Sequence, residues 1–191
     1  MDLAQTIAFS AGLAWASGLR LYLVVFLAGV LAHFGYLHLP DTLSMLQNPL
    51  VIGVAGIMAF AELIADKVPA FDSLWDTVQT FIRIPAGALL AAFALGDVDP
   101  AWMVAAGLIG GTITAGTHFA KAGSRLAINT SPEPFSNWIA SFGEEGMVLA
   151  GLWAMLASPL VFLGLLAIFL IVAGFLLVKL WGFLGRLFRR V

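Results

Sequence analysis

Apolar runs separated by short polar stretches organise this chain. Leu3 to Leu37 is apolar apart from the interruption Ser17-Gly18-Leu19-Arg20. A membrane span needs about 20 apolar residues, so this run is too long for one straight helix and short for two. Gly and Ser at a break mark kinks. The pattern therefore predicts either a broken or re-entrant first segment, or a tilted helix from about Ser17 preceded by an interfacial helix. His38 to Asn48 reads as a polar connection, and Pro49 to Ala65 as a second span ending in Glu62 and Asp66. A third helix is expected to start near Asp72 or Ser73, both good N-caps, and to run to Leu95 with a kink at Pro85. After the acidic turn 96–100, Ala101 to about Ala127 forms a fourth segment. A fifth covers Gly146 to Ser158, short unless it begins near Asn137, and Pro159 to about Leu180 is the clearest ordinary span.

Composition agrees with this pattern. Hydrophobic residues make up 61% of the 191 and charged residues only 10%, whereas a soluble domain is about one quarter charged. So few charges cannot cover a globule with polar surface. The expected fold class is all-α: a single polytopic transmembrane helical bundle, residues 1–191, with about six membrane segments. The lipid bilayer is its first partner. The absence of cysteine excludes disulfides, thiol catalysis and Cys-ligated metals. A net charge of -2 with no basic stripe gives no support for nucleic-acid binding. Ala14-Trp15-Ala16 imitates a signal-peptidase site, but no Lys or Arg precedes Arg20, so a retained helix is expected.

Lys and Arg placement predicts orientation. The tail 179–191 carries four of them on an amphipathic pattern with Trp181, Phe183, Leu184 and Phe188, an interfacial anchor for anionic headgroups. The polar stretches 62–83 and 118–145 carry two each, and the connections 38–48 and 96–100 none. Six crossings with both termini cytoplasmic, in a bacterial inner membrane, put every basic segment inside. The Gly/Ala-rich fourth segment is a candidate homo-oligomer interface.

The polar stretches hold the candidate chemistry. Glu62 and Asp66, then Asp72 and Asp76, are spaced four apart and share helical faces, with Lys67 and Arg83 as positive partners. Charges at membrane depth line a cavity or pathway unless they are paired or hydrated. These four carboxylates suit a hard metal ion such as Mg2+ or Ca2+, or protons if burial raises their pKa. The structural alternative is a solvated, salt-bridged cluster at the membrane interface. Thr114, His118, Lys121, Arg125 and Asn129 form one helical face. It either cradles an anion or pairs with Glu62, Asp66 or Glu145. Ser131 and Pro132 read as a helix start, and Asn129, Glu133 and Asn137 mainly as cap chemistry. Arg20, a lone charge at the break of the first segment, either joins the central site or snorkels. His33 and His38 sit near the outer boundary. Trp102, Trp153 and Trp181 read as belt or packing residues.

An internal echo pairs Leu63, Pro69, Ser73 and Trp75 with Leu126, Pro132, Ser136 and Trp138, always 63 residues apart, with Asp66 matched by Asn129. A second pairs Gly18-Leu19-Arg20-Leu21 with Gly123-Ser124-Arg125-Leu126. Either the echoes are chance, or two helix–turn–helix units meet at one polar centre, as in transporters built from repeats.

Three multi-residue motifs stand in fixed order. They are GLRLYL from Gly18, the run from Glu62 through Asp66-Lys67 and Pro69 to Asp72 and Asp76 followed by Ile82-Arg83 and Pro85-Ala-Gly-Ala, and the run from His118 through Lys121-Ala-Gly-Ser-Arg125 and Asn129 to Ser131-Pro-Glu-Pro and Asn137. Together they resemble a bacterial membrane family known as domain of unknown function 4126, over about Ala16 to Glu145. That resemblance implies no activity. The Glu-x-Gly-Asp-Lys motif of a manganese- and calcium-handling cation-exchanger family is more loosely similar. Glu62-Leu-Ile-Ala-Asp66-Lys67 departs from it by one extra residue and the lack of Gly.

The expected function is a small transporter or channel for an inorganic ion or small polar solute. The carboxylates would form its cation or proton site, with Arg20, His118, Lys121 and Arg125 as counter-charges or gates. The alternatives are a membrane-embedded enzyme acting on a phosphorylated lipid headgroup and a structural, partner-binding subunit. No metallohydrolase, serine-hydrolase or nucleotide-binding motif is present. Nothing in the sequence specifies a cofactor.

Overall fold

The computed structural model describes residues 2–129 and 135–188. They form six α-helices, α1 (Leu3–His33), α2 (Pro49–Ala65), α3 (Pro69–Phe93), α4 (Pro100–Ile128), α5 (Phe135–Ala157) and α6 (Pro159–Phe188), with a 3-10 helix over Asp41–Gln47. Four helices, α1, α4, α5 and α6, are long and apolar enough to cross a membrane, or five if the bent pair of the 3-10 helix and α2 counts as one span.

Local chemistry sets most boundaries. Asp2 and Gln5 form a reciprocal capping box at the start of α1. Asn48 and Asp99 cap α2 and α4, each followed by Pro at the first helical position. Pro69 likewise opens α3, so that helix begins ahead of the expected Asp72 or Ser73. A proline whose φ is already helical starts a helix without a side-chain cap. α3 continues through Pro85 as one helix. α5 starts at Phe135, giving the fifth segment full length, and α6 runs without interruption to Phe188. The expected start at Ser131-Pro132 and the Glu133 cap lie outside the described residues, as do the anchoring side chains of the tail.

α1 breaks where the sequence interrupts it. Arg20 has φ -147 and ψ 70, joining two helical arms. The first arm runs along α3 and α4: Ser10 donates to the Ala91 carbonyl (2.8 Å), Thr114 to the Ala14 carbonyl (2.9 Å), and Lys121 to the Leu19 carbonyl (3.3 Å). The second arm climbs α2. Phe26 lies against Gly56, Gly29 against Leu46 and Ile52, and His33 Nδ1 stands 3.3 Å from the Gln47 carbonyl. Thr42 of the 3-10 helix donates to the Phe93 carbonyl, tying the start of α2 to the end of α3. Both arms therefore point toward that same end, and α1 is folded back on itself with Arg20 at its deepest point. The reading as one tilted helix does not hold. α1 begins at the end carrying the connections 34–48 and 94–99, whereas α6 ends at the opposite one.

Gly18 makes the fold-back tight. A Cβ there would lie 2.6 Å from the Thr114 carbonyl oxygen and 2.7 Å from Thr117 Cβ. Gly18→Ala is expected to destabilise by about 1–3 kcal/mol, the usual range for overpacking, read as a lowered Tm in detergent. An unchanged Tm would mean that α1 and α4 are not in this contact. Packing elsewhere is apolar: Trp15 meets Phe162 and Phe169 edge-on, with ring centroids 5.9 Å apart in both pairs.

The two echoed units share a turn geometry. Asp66 and Asn129, 63 positions apart, cap the C-termini of α2 and α4 with φ/ψ of -67/-10 and -68/-6. Exposure is inverted relative to a soluble protein. Leu108, Leu160 and Ile171 are 71–73% exposed, while Glu62, Asp66, Asp72 and Arg83 are at 0%. Such a surface belongs in lipid.

Candidate functional site: a buried charge network

Twelve of the thirteen residues selected from the sequence, all but Lys67, converge where the α1 break meets α2–α5. Lys121, four residues before Arg125 on α4, is central. Its Nζ lies within 4 Å of four carboxylates: Asp66 at 3.1 Å, Asp76 and Glu144 at 3.6 Å, and Glu62 at 3.9 Å. Asp66 Oδ2 also receives Arg20 at 2.8 Å and Arg125 at 3.3 Å. Arg125 forks onto Glu144 through Nε (2.8 Å) and Nη2 (3.0 Å), the geometry in which guanidinium–carboxylate pairs are strongest. Burial opposes ionisation of Asp66, but Lys121, Arg20 and Arg125 outweigh it and hold its carboxyl below the usual carboxylate range.

A second group surrounds Arg83. It pairs with Glu62 and, at 3.0 Å, with Asp76. Its Nη1 points at His118 Nδ1 (3.2 Å), and His118 Nε2 lies 2.7 Å from Thr80 Oγ1. A guanidinium only donates and the Thr80 hydroxyl donates to the Asp76 carbonyl. Nδ1 must therefore accept, which assigns the neutral Nε2–H tautomer. His118 is thus a neutral relay between Arg83 and Thr80, and the network's positive charges are Arg20, Arg83, Lys121 and Arg125.

The periphery is polar rather than ionic. Asn129 donates to Asp72 Oδ2 (2.8 Å), Asn137 donates to Asn129 Oδ1 (2.7 Å), and the Asn137 carbonyl accepts from Arg125 (3.2 Å). Glu145 stands at the rim, 3.4 Å from Arg20. Lys67 turns away: it donates to the Leu63 carbonyl (3.2 Å) and sits 4.9 Å from the centre of the Phe142 ring. Adjacent residues leave a helix end in different directions, so Lys67 cannot follow Asp66 inward. The principal acid of α5 is Glu144 rather than Glu145. Together with Asn137, Ser141 and Val148, Glu144 lies on the buried stripe of α5, and that spacing was legible in the sequence. Thr80 and Ser141, which donates no charge but accepts from Arg20 at 2.9 Å, carried no comparable signal.

Two of the alternatives weighed from sequence are decided by these contacts. The basic face of α4 pairs with carboxylates instead of standing open to an anion. The acidic cluster is salt-bridged, as that alternative held, and is buried within the bundle. As for metal binding by Glu62, Asp66, Asp72 and Asp76, no three His, Asp or Glu groups among the described residues converge as a ligand set.

Charge balance is uneven. Glu62, Asp66, Asp72, Asp76 and Glu144 face Arg20, Arg83, Lys121 and Arg125, all at 8% exposure or less, leaving one negative charge in excess. Correspondingly, Glu62 Oε2, Asp66 Oδ1, Asp72 Oδ1 and Asp76 Oδ2 have no hydrogen-bond partner among the described residues. Arg20 Nε and Arg83 Nε are likewise unpartnered among the described residues, and buried polar groups of this kind call for an explanation.

No curated protein and no solved structure matches the chain. A family model described as a domain of unknown function (DUF4126) matches residues 7–179. That span exceeds the stretch holding the three sequence motifs and takes in every member of the charge network, and the chain belongs to this family.

Proposed function

We propose that this protein is a small transporter of the bacterial inner membrane that carries a small cation, the proton being the simplest, through its charged centre. The observation that carries this reading is the buried excess of one carboxylate together with the orphaned carboxylate oxygens. Uncompensated charge at membrane depth costs several kcal/mol, so the network is neutral only when one cation or proton joins it. Loading and unloading that cation changes which ion pairs are made, and so couples occupancy to helix positions. The break in α1 supports the same reading, since transporters place their sites at interrupted helices whose free backbone groups face a polar centre. Here the Leu19 carbonyl accepts from Lys121 at that break.

In this arrangement α2 to α6 cross the bilayer and α1 enters and leaves by the same face. The connections without Lys or Arg lie outside, and the polar turns and basic tail lie in the cytoplasm. The chain has no cysteine, so single replacements test this directly. Asp2→Cys and Ser44→Cys are expected to react together with a membrane-impermeant maleimide from outside, and Lys67→Cys only after permeabilisation. Labelling of Asp2→Cys together with Lys67→Cys would remove the re-entrant arrangement.

The decisive experiment is flux in proteoliposomes, with protons and then small cations and anions, for wild type and Glu62→Gln. Proton or cation flux that disappears in the variant supports the reading. No flux for any ion, from a folded protein, would leave the charges with a purely structural role.

A further inference from the structure

A cavity of about 280 Å³ lies between the second arm of α1, α2 and α5. Its walls are apolar, including Phe26, Ala59 and Phe60, and its inner end is formed by Arg20, Glu62 and Glu145. The size is close to the lower limit of small-molecule sites, about 300 Å³. Phe60 is 62% exposed, so the α2 wall borders the outer, lipid-facing surface of the bundle. Of the charged residues lining it, two are carboxylates and one is a guanidinium, and Glu62 is also paired with Arg83 from outside the lining. Arg20 is already committed to Asp66, Ser141, Glu144 and Glu145. Glu62 is different. Arg83 holds its Oε1, while Oε2 is buried without a partner among the described residues.

From this geometry we infer that the cavity binds a small hydrophobic ammonium ion, its charged nitrogen at Glu62 Oε2 and its apolar body between Phe26 and Phe60. The inference rests on the cation-carrying reading of the network and gives it a substrate class. A hydrated inorganic cation would have to shed water against apolar walls that return nothing. An ammonium group on an apolar body leaves only its charged end to be solvated, and Glu62 and Glu145 supply that.

Proton and ammonium exclude one another at this carboxylate. Ligand R-NH3+ displaces the proton of the protonated Glu62 carboxyl, giving the carboxylate–ammonium pair and one free proton. Charge on the network is the same before and after. The groups that set this exchange are those facing Glu62: Arg20 of α1, Asp66 beyond α2, Asp76 and Arg83 of α3, Lys121 of α4 and Glu145 of α5.

The test is calorimetric titration of the full chain in detergent with 2-phenylethylammonium and its neutral analogue 2-phenylethanol. Two buffers of different ionisation enthalpy count the protons released. The ammonium is expected to bind at least tenfold more tightly than the alcohol, with release approaching one proton, and Glu62→Gln to weaken it at least tenfold. Ala59→Phe fills the cavity without touching a charge and is expected to abolish binding, so the outcome does not depend on Glu62→Gln folding. Equal affinity for the alcohol, or undiminished binding to Ala59→Phe, overturns the inference. Wild-type protein that carries protons in vesicles yet binds no ammonium overturns it too, while leaving the transport reading intact. Loss of both proton flux and binding removes both.

Discussion

Lys121→Met is expected to destabilise the protein by about 3–5 kcal/mol, the cost of stranding buried charge by removing one partner. Against a total of about 5–15 kcal/mol for a folded domain, this is close to unfolding. Methionine keeps the aliphatic stem, so the loss reports the charge and not the packing. Four carboxylates lie within 4 Å of this one ammonium. Without it, five buried acids face three guanidinium groups, and Asp66, Asp76, Glu62 and Glu144 repel one another in a medium that screens little. The effect should be reversible by subtraction. Adding Asp76→Asn removes a carboxylate 3.6 Å from Lys121 and leaves Arg83 to Glu62. The double variant is expected to recover a large part of the lost stability, a coupling on the order of 0.5–3 kcal/mol, measured by thermal unfolding in detergent. Strict additivity of the two changes would mean that these groups do not act as one network.

Glu62→Gln is expected to do the opposite: cost only about 1 kcal/mol of stability, the typical value for a single substitution, while lowering transport at least about 100-fold, roughly 2.7 kcal/mol of lost coupling. Glutamine retains a carbonyl oxygen for Arg83, and four acids then balance four cations without any further ion. A network that is already neutral has nothing to load. Thermal unfolding and vesicle flux on the same preparation check this pair of outcomes. If the variant unfolds readily and the wild type shows no flux, the carboxylate is part of a lock between helices. If it is stable and still transports, the surplus charge lies elsewhere, with Asp72 and Asp76 the next to replace.

Much of this site was legible from residue spacing. The four-residue intervals of Glu62/Asp66 and Asp72/Asp76, and the face His118, Lys121, Arg125, each placed side chains on one side of a helix, and those sides do meet. Arg20 stood out because an isolated charge in an apolar run demands a partner, and it has three carboxylates within 3.4 Å. What spacing could not decide was rotation at helix ends. Glu144 and Glu145 differ by one position, about 100° around the helix, and only packing of α5 against α1 turns the first inward. Lys67 beside Asp66 fails for the same reason. Pro69 was readable as a turn residue, but a proline suits the first helical position as well as the residues before it, so the start of α3 was displaced by a few residues.

The sequence by itself determined the class of environment and the location of the buried charges, because hydropathy and helical periodicity are local properties summed along the chain. It also marked the point at which α1 breaks. Whether the chain passes straight through that break or turns back depends on what each arm packs against. Those partners, Ala91 for Ser10 and Leu46 for Gly29, are distant in sequence. The same holds for charge. Individual carboxylates and cations can be counted in a sequence, but whether five and four of them are sealed in one low-dielectric space, with one left over, is decided only when six helices close around it.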